Sequence, residues 1–115
     1  MRASSLSELD RKRAEKILAP LCEVPAHVQN QVRKGLEFEG SAVVLFESRP
    51  HFQRRSEWSN HPVAKFRLVK SRDVWQLYCQ HRDLKWHAYQ RLPEAPDLSA
   101  LADEVRRDPT GIFWG

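Results

Sequence analysis

Cysteine and glycine are scarce in this chain. The two cysteines, Cys22 and Cys79, form neither a C-x-x-C pair nor the dense framework of a secreted mini-domain, so they read as free structural thiols. Four glycines, two of them near the carboxy terminus, leave no Gly-rich loop to cradle a phosphate. H-E-x-x-H, G-x-S-x-G and S-x-x-K are also missing, and the sequence calls for no cofactor. No run approaches the roughly 20 apolar residues of a membrane-spanning helix, and the opening MRASSLSELDRKRAEK lacks the apolar centre of a signal segment. These absences point to a cytoplasmic protein with no membrane partner.

What is present is an ordinary globular composition, 41% hydrophobic and 30% charged, in 115 residues, the length of a single domain spanning 1–115. Net charge is +4, concentrated in one region: residues 61–92 carry seven Lys/Arg against two Asp/Glu, whereas 93–115 carry two against five.

Hydrophobic periodicity divides the chain into helices, a sheet and a second helical part. Ser5-Leu6-Ser7-Glu8 fits a capping box with Ser5 as the cap, opening a helix whose apolar stripe runs through Leu9, Ala14, Ile17 and Leu18. A short second helix is predicted from Pro25 to Val32, so helices occupy 5–33. The period then shortens to two. LEFEGSAVVLFE alternates around Gly40-Ser41 as a hairpin, with Leu36 and Phe38 facing Leu45 and Val43. Residues 49–61 lack sustained alternation and read as a long surface loop. From Pro62 a three-stranded meander follows, completing a sheet over 35–92.

Matching side chains across the turns sets the expected register of the meander. Leu68 opposes Trp75, Phe66 opposes Leu77 and Ala64 opposes Cys79; in the next hairpin Cys79 opposes Ala88, Tyr78 opposes Tyr89, and His81 opposes Trp86. Trp86 and Ala88 then point into the core, and Lys85, His87 and Tyr89 away from it. A helix over 97–107, capped by Asp97 and stopped at Asp108-Pro109, precedes the apolar tail 108–115. The fold class is α+β: an antiparallel sheet of about five strands, one hairpin plus a meander, packed with two main helices.

The runs FESRP (46–50), PVAKF (62–66), DLKWHAY (83–89) and DPTGIFWG (108–115) occur in that order, and over nearly its whole length the chain resembles the bacterial family known as domain of unknown function 3024. DLKWHAY and DPTGIFWG are its most specific parts. The resemblance implies a free-standing small cytoplasmic bacterial protein and carries over no activity and no site residue.

From the residues themselves, the candidate site is the second face of the meander. Lys65, Arg67, Tyr78, Lys85, His87, Tyr89 and Arg91 would share it, with Arg49 and the other loop arginines extending it. Cations attract phosphate and exposed aromatic rings stack on unpaired bases, so the reading is a non-catalytic basic binding module for single-stranded or structured nucleic acid. The competing structural reading is that Val63, Val69 and Val74, on the same face, lie beneath a helix, with the basic side chains packing at its rim.

Two other classes have weaker support. A metal-assisted phosphodiester hydrolase would use Glu47, Asp83 and His87 with Lys65, but Asp83 and His87 serve equally as a turn aspartate and a strand histidine. A protein-interaction adaptor would use the long loop, with Trp58, and the aromatic tail; packing of Ile112, Phe113 and Trp114 onto the sheet is the structural alternative. Glu47 and Arg49, two apart on a strand, are expected to form a rim ion pair.

Overall fold

The structure is a computed structural model and describes residues 6–54 and 56–114. The proposed cap Ser5 lies outside the described residues. Helix α1 spans Glu8–Leu18, and its cap is Ser7, whose side chain accepts the Asp10 N–H at 3.0 Å. The predicted helix at 25–32 is replaced by a single 3₁₀ turn, Ala26–Val28, because the chain is already extended at Arg33, where the first strand begins.

Strands β1 (Arg33–Glu39) and β2 (Ala42–Pro50) form the expected hairpin, pairing Leu36 with Leu45 and Phe38 with Val43. Gly40 supplies the positive φ of 58° that a tight glycine-first turn requires. Strand β3 runs Trp58–Val69, so the predicted loop 49–61 shrinks to 51–57. Residues 58–62 escaped detection because they are mostly polar: among the described residues their only sheet neighbour is β2, and they bury little.

Strand β4 (Val74–Gln80) pairs with β3 in the expected register, Ala64 to Cys79 through Leu68 to Trp75. Beyond β4, two short strands share one position in the sheet: β5 (Trp86–Ala88) and β6 (Glu94–Ala95). The order is therefore β1-β2-β3-β4, followed by β5 and β6. Helix α2 spans Leu98–Arg107, capped by Asp97, which accepts the Ser99 N–H at 3.0 Å. The fold is α+β, as the sequence predicts, with an antiparallel sheet and two main helices.

Both helices lie on one side of the sheet. A single apolar cluster joins Ala14 and Leu18 of α1, Leu101 and Val105 of α2, and Val43, Leu45, Phe66 and Leu77 of the strands. Phe66, Leu77, Leu101 and Val105 are each 0% exposed, and burying such side chains contributes roughly 1.5–3 kcal/mol apiece. Phe113 of the tail joins the cluster, and the Trp114 indole N–H donates to the Val105 carbonyl at 2.9 Å, so the tail packs inward.

Candidate functional site

Two departures from regular pairing decide which side chains face away from the helices. The first is a bulge. Leu45 pairs with Ala64 but Phe46 pairs with Pro62, leaving Val63 as an extra residue in β3. Val63 turns into the core, contrary to its expected place on the second face. The same insertion brings Pro62, Asn60 and Trp58 onto that face, opposite Phe46, Ser48 and Pro50.

The second departure is a one-residue slip in the β4–β5 hairpin. Tyr78 pairs with Ala88, Cys79 with His87 and Gln80 with Trp86, so the loop holds five residues, His81–Lys85. Leu84 adopts φ 64° within it, and Asp83 accepts the Lys85 N–H at 2.9 Å. A slip of one exchanges the two faces. Trp86 and Ala88, predicted to point into the core, lie instead on the face away from the helices, beside Tyr78 and Gln80. His87 and Tyr89, predicted to lie on that face, leave it.

The eight predicted site residues therefore separate. Lys65, Arg67 and Tyr78 share the outer face through the pairings Lys65–Tyr78 and Arg67–Gln76. Tyr89 is 3% exposed and donates its hydroxyl to Glu104 of α2 at 2.7 Å. Arg91 donates from Nε to the same carboxylate at 2.8 Å. His87 sits at the hairpin tip, its Nε2 2.9 Å from Asp83 and its ring stacked on His81 at 3.9 Å; Lys85 belongs to the same tip. Arg49 pairs with Glu47 at 3.1 Å, as expected, on the side of β2 opposite Phe46.

Residues that the sequence reading did not place here complete the outer face. The Arg33 guanidinium lies over the Trp58 ring, 3.8 Å from its centroid, and the Lys65 ammonium is 5.9 Å from that of Trp86. Phe46 covers Gly35 so closely that a Cβ on Gly35 would meet the ring at 2.6 Å. The Tyr78 hydroxyl donates to Gln76 at 2.7 Å. Trp58, Phe46, Tyr78 and Trp86 are all half-buried.

No helix covers this face among the described residues. Ala42 and Val44 on it are buried, yet they lie outside the helix-packed cluster. Among the described residues no carboxylate is within 4.0 Å of Arg33, Lys65 or Arg67. Acid is confined to two borders: Glu37 and Glu39 on β1, and Glu94 on β6, which is paired with Arg72 at 2.9 Å.

The hydrolase constellation does not assemble. Glu47 is on β2, two strands from β4, while Asp83 and His87 occupy the β4–β5 tip, and no three potential metal ligands converge among the described residues. Two backbone and side-chain donors, the Lys85 N–H first and then His87, hold the Asp83 carboxyl below its ordinary range, which is the behaviour of a capped turn aspartate.

The fold and this face together define an α+β protein whose sheet, among the described residues, is open on one side, with aromatic rings on that surface beside cations that no described carboxylate pairs. The chain belongs to the family described as "Domain of unknown function (DUF3024)", whose model matches residues 6–115. Neither the curated proteins nor the solved structures give a match.

Proposed function

We propose that this protein is a non-catalytic module that binds single-stranded nucleic acid on the open face of its sheet. The observation that carries this reading is the combination, on one surface that no helix covers among the described residues, of Trp58, Phe46, Tyr78 and Trp86 with Arg33, Lys65 and Arg67. Unpaired bases expose π-faces that stack on such rings, and phosphates between them seek the cations. A duplex hides its base faces and gains only the electrostatic part.

The test is fluorescence anisotropy of labelled single-stranded DNA, single-stranded RNA and duplex, at low and near-physiological salt, without magnesium. Binding is expected to favour single strands and to weaken steeply with salt. Trp86→Ala should cost about 1–3 kcal/mol of binding, the worth of one stacked base. Lys65→Ala should weaken binding and flatten the salt dependence by about one phosphate contact. No binding at low salt, or equal affinity for duplex, overturns the proposal.

Loop 51–57 keeps the adaptor reading in view, since Phe52 is 81% exposed there. If the nucleic-acid test fails, Phe52→Ala is the variant with which to seek a protein partner.

A further inference from the structure

The two sides of the sheet end differently. On one side the edge is broken: β5 and β6 are three and two residues long, and residues 89–93, including Pro93, interrupt them. That edge is protected against pairing. On the other side β1 is a continuous seven-residue strand, paired to β2 without bulge or proline. Among the described residues, no loop or helix backbone bonds to it.

Its hydrogen-bonding pattern follows from the hairpin. A two-residue turn makes Glu39–Ala42 the bonded closing pair, so Arg33, Gly35, Glu37 and Glu39 bond to β2, while Lys34, Leu36 and Phe38 direct their N–H and C=O groups outward. Reversed about Leu36, the sequence of that edge, RKGLEFE, sets Arg33 against Glu39 at both ends and brings no like charges together.

We infer that β1 pairs antiparallel with β1 of a second copy of this chain, about a two-fold axis at Leu36. A second copy is the occupant this self-matching of Arg33 with Glu39 favours. Centring on Leu36 pairs all seven residues and sets each Arg33 against the partner's Glu39, twice over by symmetry. These are non-bonded positions of the ladder, where side chains approach most closely. Shifting the centre to Glu37 or Phe38 sets glutamates against each other and loses the Arg33 pairing, and shifting it to Gly35 sets Arg33 against the partner's Glu37 but pairs only residues 33–37. Lys34, Leu36 and Phe38 then bond to Phe38, Leu36 and Lys34 of the partner subunit. Glu37 faces the partner's Gly35 and gains no ion pair.

The result is one continuous sheet in which both open faces lie on the same side, with the Glu39 border neutralised by the partner's Arg33. The pairing draws Arg33 from its place over Trp58, so in the dimer Lys65 and Arg67 remain as the free cations of each open face. Edge pairing of seven residues is modest beside the ~1,600 Å² of a standard interface, so the dimer should be concentration-dependent.

The symmetry supplies the test. Sedimentation velocity of the wild-type chain over a concentration series should show a twofold rise in mass. Arg33→Glu and Glu39→Arg, each shown by circular dichroism to be folded, should each lose the dimer through like-charge contacts. Mixed together, the two variants should regain it: at one end of the paired strands the introduced acid meets the introduced base, and at the other the native Arg33 meets the native Glu39. A variant independent of charge is Leu36→Cys, whose two-fold position brings Cα atoms to about 5.5 Å, within disulfide reach; it should oxidise to a covalent dimer that wild type, with Cys22 and Cys79, does not form. A wild-type chain that is monomeric throughout, single variants that dimerise as well as wild type, or a mixture that stays monomeric overturns the inference.

Discussion

Glu104 is charged and only 4% exposed, and it survives burial because three donors meet it: the Tyr89 hydroxyl at 2.7 Å, Arg91 Nε at 2.8 Å and, more distantly, Arg107 at 3.8 Å. Tyr89, followed by Arg91, holds its carboxyl below the usual range against the opposing effect of burial. A depressed folded-state pKa stabilises the protein above the unfolded value of about 4.3, and that stability is lost as pH falls through the folded value. Glu104→Gln should therefore melt below wild type at pH 7, with the gap narrowing as pH drops below about 4; a constant gap across a thermal-melt pH series would contradict this. Tyr89 moves the other way: burial, then Glu104, raises its phenol pKa, so its contribution is retained below about pH 10 and fades as pH rises through the folded value. Tyr89→Phe leaves a buried carboxylate one donor short and should cost about 1–3 kcal/mol in urea unfolding without weakening oligonucleotide binding. Gly35 acts at the opposite surface. Gly35→Ala would force the Phe46 ring aside, at a stability cost of about 1–3 kcal/mol, and should perturb binding because it moves one of the platform's rings.

At the scale of elements, the two hairpins closed by obvious turns were legible. Gly40-Ser41 and the polar stretch before Val74, flanked by alternating apolar residues, fixed the β1–β2 and β3–β4 registers, and with them most of the core. The β4–β5 hairpin was not legible, because its extra residue depends on Leu84 adopting a left-handed conformation that no glycine marks. That single residue put Trp86 on the wrong side and assigned Tyr89 and His87 to a face they do not occupy. The bulge at Val63 likewise carries no sequence mark, yet it delivers Trp58 to the open face. Lys65, Arg67 and Tyr78 were placed correctly since their strands obeyed the simple period. The tail shows how one residue organises an element. Asp108, in a left-handed C-cap at φ 43°, accepts the N–H groups of Phe113 and Trp114 at 3.1 and 2.8 Å and so folds the tail onto the core. Phe113→Ala should cost about 3–5 kcal/mol, read from denaturant midpoints. Removing residues 112–115 should lower the melting temperature at least as far, and an unchanged melting temperature would show that the tail does not hold the core.

Across the whole molecule, the helices, tail and buried Glu104 all belong to one side of the sheet, and the rings and free cations to the other. The four tryptophans divide the same way. Trp58 and Trp86 lie on the open face, whereas Trp75 and Trp114 pack against the helix-side cluster. Each indole N–H gives its own signal in a ¹H–¹⁵N correlation spectrum, so titrating a short single-stranded oligonucleotide into ¹⁵N-labelled protein reads both faces at once. Binding on the open face predicts that the Trp58 and Trp86 signals move progressively while those of Trp75 and Trp114 stay in place. Shifts confined to Trp75 and Trp114, or no shift in any of the four at low salt, would contradict the account.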